Sequence, residues 1–147
     1  ESIYKRALPL MQKYSQSCTL IGNSGAGQLA KMVNQICIAG LVQALSEGIN
    51  FAEKNDLDTK KVLDSISKGA AGSWQLENRG KTMVDGKFDF GFAVELMRKD
   101  LSICLDQAEK LNISLPITAI VNQFYAEVQN SGGARFDTSS LITRFNK

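Results

Sequence analysis

Lys31 and Asn34 stand out as polar residues inside QLAKMVNQICIAGLVQAL, an otherwise largely apolar stretch from Gln28 to Leu45. Residues three and four apart share one side of a helix, so Gly27, Lys31, Asn34 and Gln35 fall on one strip. A lysine among apolar neighbours is expected to be paired or to face a cleft. Desolvation there would make its amine able to give and take a proton. The bland alternative is a lysine snorkelling out of a core helix, with Asn34 bonded to a neighbour.

Lys99-Asp100, within LMRKDLSICL, is a second candidate pair, against the plain reading of a solvated helix face. The chain has no histidine, which removes the commonest general base, the histidine-dependent triads and most catalytic metal sites. Acid–base chemistry is left to Lys, Asp, Glu, Tyr or Cys, and no metal site is expected.

The small-residue turn before the long helix, Gly25-Ala26-Gly27-Gln28-Leu29-Ala30, matches the G-x-G-x-x-A dinucleotide pattern. The helix behind it is too long for a βαβ crossover, and no strand ending in an acidic residue follows. The glycines still let a ligand approach a helix N-terminus, where free N–H groups attract an anion.

The elements that must position these groups follow from periodicity and punctuation. Ser2 is expected to cap a first helix interrupted by Pro9, and residues 18–22 read as a short strand. A long helix to about Lys54 is apolar nearly all round and so expected in the interior. Asp58 or Thr59 caps a short helix with Val62, Leu63 and Ile66 inward. Ser73-Trp74 starts another through Arg79, with Trp74 and Phe92 as core or interface aromatics. A helix from Ala93 to about Leu111 carries Val94, Met97, Leu101, Cys104 and Ala108 at helical spacing. Pro116 opens the next, which ends at Ser131-Gly132-Gly133, and Asp137 caps a final short helix.

A lone strand has no partner for its backbone groups. Residues 1–23 therefore read as the tail of an upstream α/β domain, and residues 24–147 as an all-α unit built on the long helix. The exposed edge of that strand would offer pairing between copies. A net charge of +2 over 147 residues, with scattered lysines, gives no case for nucleic acid. Lys31, Asn34, Gln35 and Gln43 argue against a membrane span. ESIYKR lacks the apolar centre of a signal peptide, and the three cysteines show no disulfide or zinc spacing. Reduced core cysteines in a cytoplasmic protein are expected.

Gly22, Gly25, Ala26, Gly27, Gln28, Lys31 and Asn34 together form G-x-x-G-A-G-Q-x-x-K-x-x-N. This resembles the central signature of the β-hydroxyacid dehydrogenases, which include 3-hydroxyisobutyrate dehydrogenase and tartronate semialdehyde reductase. Gly91-Phe92, Leu96-Met97 and Lys99-Asp100-Leu101 resemble the family's second block, and Pro116 and Asp137-Thr138-Ser139 fall at later landmarks. Gln35 departs from the pattern, standing where many members have a second Asn, an exchange expected to matter little.

The resemblance implies the C-terminal helical domain of a two-domain enzyme, of the 6-phosphogluconate dehydrogenase C-terminal type, behind a Rossmann domain. It implies Lys31 as the catalytic acid–base, with Asn34, Phe92 and Asp100 on the substrate and Lys99 and Gly25 on the cofactor. It further implies NAD or NADP held mainly by the upstream domain, a short hydroxy acid substrate, and a homodimer or homotetramer. The chain alone is then expected to be inactive. The rival reading is a non-catalytic helical binding or oligomerisation module.

Overall fold

Buried positions along the long apolar segment recur at Gln35, Ala39, Val42, Ser46 and Ile49, the three-and-four spacing of a single helix face. The computed structural model describes residues 1–145, so the last two residues of the expected 24–147 unit lie outside it. Its elements are α1 (Ser2–Met11), α2 (Ala26–Lys54), α3 (Thr59–Ile66), α4 (Trp74–Val84), α5 (Val94–Leu111) and α6 (Pro116–Val128). A π-turn at Gln129–Gly133 and a 3-10 helix, Thr138–Phe145, complete the order.

The all-α expectation holds, and the expected strand does not. Residues 18–22 run without regular structure, and no strand occurs among the described residues. Apolar, β-prone residues are present, but no neighbouring strand is there to take their backbone hydrogen bonds. No residue of α1 is buried, and Tyr4 ties α1 back to this segment by donating to the Cys18 carbonyl at 2.9 Å.

α2 is the axis of the fold. It starts behind Gly25, whose φ of 93° is a left-handed conformation that glycine adopts without the Cβ penalty. Ala39 and Val42 pack against Val94, Met97 and Leu101 of α5, Val121, Tyr125 and Val128 of α6, and Leu141. Further along, Ile49 packs with Leu63 of α3, Leu76 and Met83 of α4, Phe88 and Ile142.

Several sequence expectations need correction here. α2 is not enclosed all round: Leu29, Val33, Cys37, Leu41 and Phe51 are exposed, whereas Gln35, Gln43 and Ser46 are buried. Helix spacing, not residue polarity, sets the face that meets α5 and α6, and that face carries the amides. Cys37 is thus not a core cysteine, although Cys104 is, and all three cysteines are free. Ile66 is exposed rather than inward, Trp74 is exposed and so is not a core aromatic, and α4 continues past Arg79 to Val84 because Gly80 and Met83 pack inward against α3 and the second core. Asp58 accepts from the Lys61 N–H, Ser73 accepts from the Leu76 N–H, and Pro116 opens α6, as the sequence leads one to expect. Ser2 is not the cap of α1: it lies inside the helix, and Glu1 holds the cap position with no side-chain hydrogen bond.

Candidate functional site

The buried stripe of α2 runs out towards its N-terminus, and its spacing continues from Gln35 to Lys31. On α5 the buried stripe is Val94, Met97, Leu101, Cys104 and Ala108, with Asp100 buried one position away. Lys31, near the start of α2, meets Asp100 in the first half of α5. Lys31 Nζ lies 2.9 Å from Asp100 Oδ2, with half of the lysine side chain accessible and only 5% of the aspartate. Lys99 Nζ lies 3.4 Å from Oδ1 of the same carboxylate.

Two amides complete the cluster. Gln35 Nε2 donates to Asp100 Oδ2 at 2.8 Å, and Asn34 Nδ2 donates to Gln35 Oε1 at 3.1 Å. Lys31, Asn34, Lys99 and Asp100, all singled out from the sequence, are therefore brought together. Gln35, read as a passive departure, is the residue that joins them. Gln28, Met32 and Ile103 line the same groove, of about 110 Å³.

Burial pushes the Asp100 carboxyl up. The Lys31 ammonium, the Gln35 amide and the Lys99 charge outweigh it and hold Asp100 below the usual carboxylate range. Cys104, one turn on, donates to the Met32 carbonyl at 3.7 Å, and burial together with the Asp100 charge pushes its thiol up. The desolvation expected for Lys31 is not found: its side chain is half accessible and faces a groove.

Gly25 and Phe92 lie outside the groove. Gly25 sits at the α2 N-terminus, six residues before Lys31 and hence about 9 Å along the helix axis. Phe92 precedes α5 and packs half-buried against the first core. Its backbone N–H donates to Asp137 Oδ2 at 2.9 Å. Oδ1 of Asp137 takes the Ser139 N–H, the Ser139 hydroxyl and Arg79 Nε at 3.1, 2.6 and 3.2 Å. The sequence showed Asp137 as a cap and as part of a family landmark; its long-range partners carry no local signal. Arg79 also lies over the Trp74 and Phe90 rings, 4.8 and 5.0 Å from their centres.

A larger groove of about 370 Å³ opens between α2, α3 and the start of α4. Its walls are Leu41, Leu45, Ile49, Val62, Ile66 and Leu76, with only Thr59 and Ser73 to offer polar atoms. The chemistry is concentrated in the smaller, charged groove.

Residues 25–145 match the model of the NAD-binding domain of NADP-dependent 3-hydroxyisobutyrate dehydrogenase. The chain belongs to this family. Among its relatives, an uncharacterized oxidoreductase of Shewanella frigidimarina is 58% identical, over 95% of this chain and 48% of its own length. The 2-hydroxy-3-oxopropionate reductase of Escherichia coli is 34% identical, over 97% of this chain and 49% of its own. The 3-hydroxyisobutyrate dehydrogenase of Mycobacterium tuberculosis, solved with L-serine, superposes with a TM-score of 0.89 at 25% identity, covering 100% of this chain and 53% of that one. The chain spans about half the length of the curated relatives it matches.

Proposed function

We propose that this chain supplies the acid–base half of an NAD(P)-dependent dehydrogenase acting on a short 3-hydroxy acid. Lys31 is the proton carrier, and the carrying observation is its ammonium, fixed against buried Asp100 at the rim of a charged groove. The ammonium is the acid form, suited to deliver a proton to a carbonyl oxygen as that carbonyl is reduced. In the reverse direction the amine takes the proton of the substrate hydroxyl.

Two lysines against one carboxylate leave the groove with excess positive charge, which fits an anionic substrate and a phosphate-bearing cofactor. Lys99, more than half accessible, is placed to reach the cofactor, and Gly25 permits close backbone approach at the α2 N-terminus. The cofactor, when bound, supplies the hydride acceptor. Asn34 contacts the substrate, Asp100 keeps the Lys31 amine in place, and Phe92 forms a more distant wall held by Asp137.

Residues 1–23 belong in this reading to the end of the nucleotide domain, consistent with an α1 that buries nothing in the helical unit. The whole enzyme is cytoplasmic and assembles as a dimer or tetramer. Turnover needs both domains, so the chain by itself is inactive. The test is NAD(P)H formation by the full-length protein on 3-hydroxyisobutyrate and related short acids. Lys31→Ala is expected to lower kcat/KM by about 10²-fold or more. Unchanged turnover would favour a purely structural module.

A further inference from the structure

We propose that Gln35 is the positioning residue of this site, holding Asp100 between the two lysines and setting which end of the exposed Asn34 amide is turned outward. This rests on the dehydrogenase reading above.

The argument follows the polarity of the hydrogen bonds. An ionised carboxylate only accepts, so the end of Gln35 that meets Asp100 must be its Nε2. Its Oε1 then points the other way and can only accept, which fixes Nδ2 of Asn34 as the donor at 3.1 Å. The Asn34 carbonyl oxygen is left as the end turned away from Gln35, available to a hydroxyl donor. One buried carboxylate therefore orients two amides in series.

Gln35 is 5% exposed, so water cannot take its place. It shares Oδ2 with Lys31, while Lys99 draws on Oδ1. Without the amide, the carboxylate is free to turn towards Lys99 and loosen its hold on the Lys31 amine. Proton transfer is sensitive to that placement, because sub-ångström errors at a reacting group are costly.

The experiment uses the full-length protein, with kcat, KM and pH profiles for Gln35→Met, Gln35→Asn, Gln35→Glu and Lys31→Ala, alongside thermal melts of each. Gln35→Met is expected to lower kcat by about 10- to 100-fold. Gln35→Asn, which keeps an amide donor, is expected to fall between it and the native protein. The groups facing Asp100 are Lys31 and Gln35 from α2, with Lys99 and Cys104 on α5 itself. Loss of the Gln35 donor moves the acid limb of kcat/KM to higher pH. Gln35→Glu sets two carboxyls together, so its activity is expected to fall as pH rises and to recover when they share a proton.

Native kcat and pH profile in Gln35→Met and Gln35→Glu would overturn the role. So would a pH-independent loss that tracks only lowered melting temperature, with Gln35→Asn no better than Gln35→Met. Activity that survives in Lys31→Ala overturns the dehydrogenase reading itself. An inactive Lys31→Ala beside an unaffected Gln35→Met overturns the Gln35 role alone.

Discussion

Lys31 and Asp100, on separate helices, share a 2.9 Å ion pair in which the lysine is half open and the carboxylate almost wholly enclosed. Exposed pairs contribute little, and a fully enclosed pair carries a heavy desolvation cost. The asymmetry here leaves the amine accessible to a ligand while its anchor stays fixed, which is what the role proposed for Lys31 requires.

Asp100→Asn tests that anchor through pH. The native carboxyl is held below its ordinary range, so it is lowered on folding. Such a group contributes stability above its unfolded value, about 3.9, and loses it as pH falls through the folded value. Urea midpoints of the native and Asp100→Asn proteins should therefore differ near neutrality and converge in acid. A difference that persists in acid would exclude the ion pair as its source.

Asp137→Ala is expected to be the most damaging of these changes, destabilising by about 3–5 kcal/mol in urea titration. The substitution leaves Arg79, only 20% exposed, without its partner. It also frees the Phe92 and Ser139 N–H groups.

Gly91→Ala and Gly86→Ala form a matched pair. Both glycines have positive φ, 72° and 65°, a region where a Cβ costs about 1–2 kcal/mol. A Cβ at Gly86 meets open space, whereas one at Gly91 runs into the Asp137 carboxylate. Gly91→Ala should lower the urea midpoint clearly further than Gly86→Ala.

Ser73→Ala removes the hydroxyl that accepts the Leu76 N–H at 3.1 Å. A loss of about 1 kcal/mol is expected in urea titration. Ser73→Asp should recover most of it.

Local signals were legible wherever one segment settles its own conformation. Asp58 and Ser73 cap where their spacing to the next apolar run requires, and Pro116 opens α6 because its missing N–H is not needed there. Lys31 was visible as a charge among apolar neighbours, whereas Asp100 was legible only as part of a charged pair on a helix face that could equally have been solvated. The reading of residues 18–22 as a strand went wrong because strand formation depends on a neighbour, which the segment's own β-prone residues cannot supply.

By itself, the sequence determined the order of the helices and placed Lys31, Asn34, Lys99 and Asp100 under suspicion, since helix periodicity and capping act over three or four residues. Only the tertiary structure decided that α2 buries Gln35, Gln43 and Ser46 while leaving Leu29, Val33 and Phe51 outside. It alone joined Asp100 to Gln35 and Asp137 to Phe92, contacts made across 65 and 45 residues of chain. Partners so far apart in sequence meet because packed helices bring their faces together, and nothing in either segment states in advance which face the other will present.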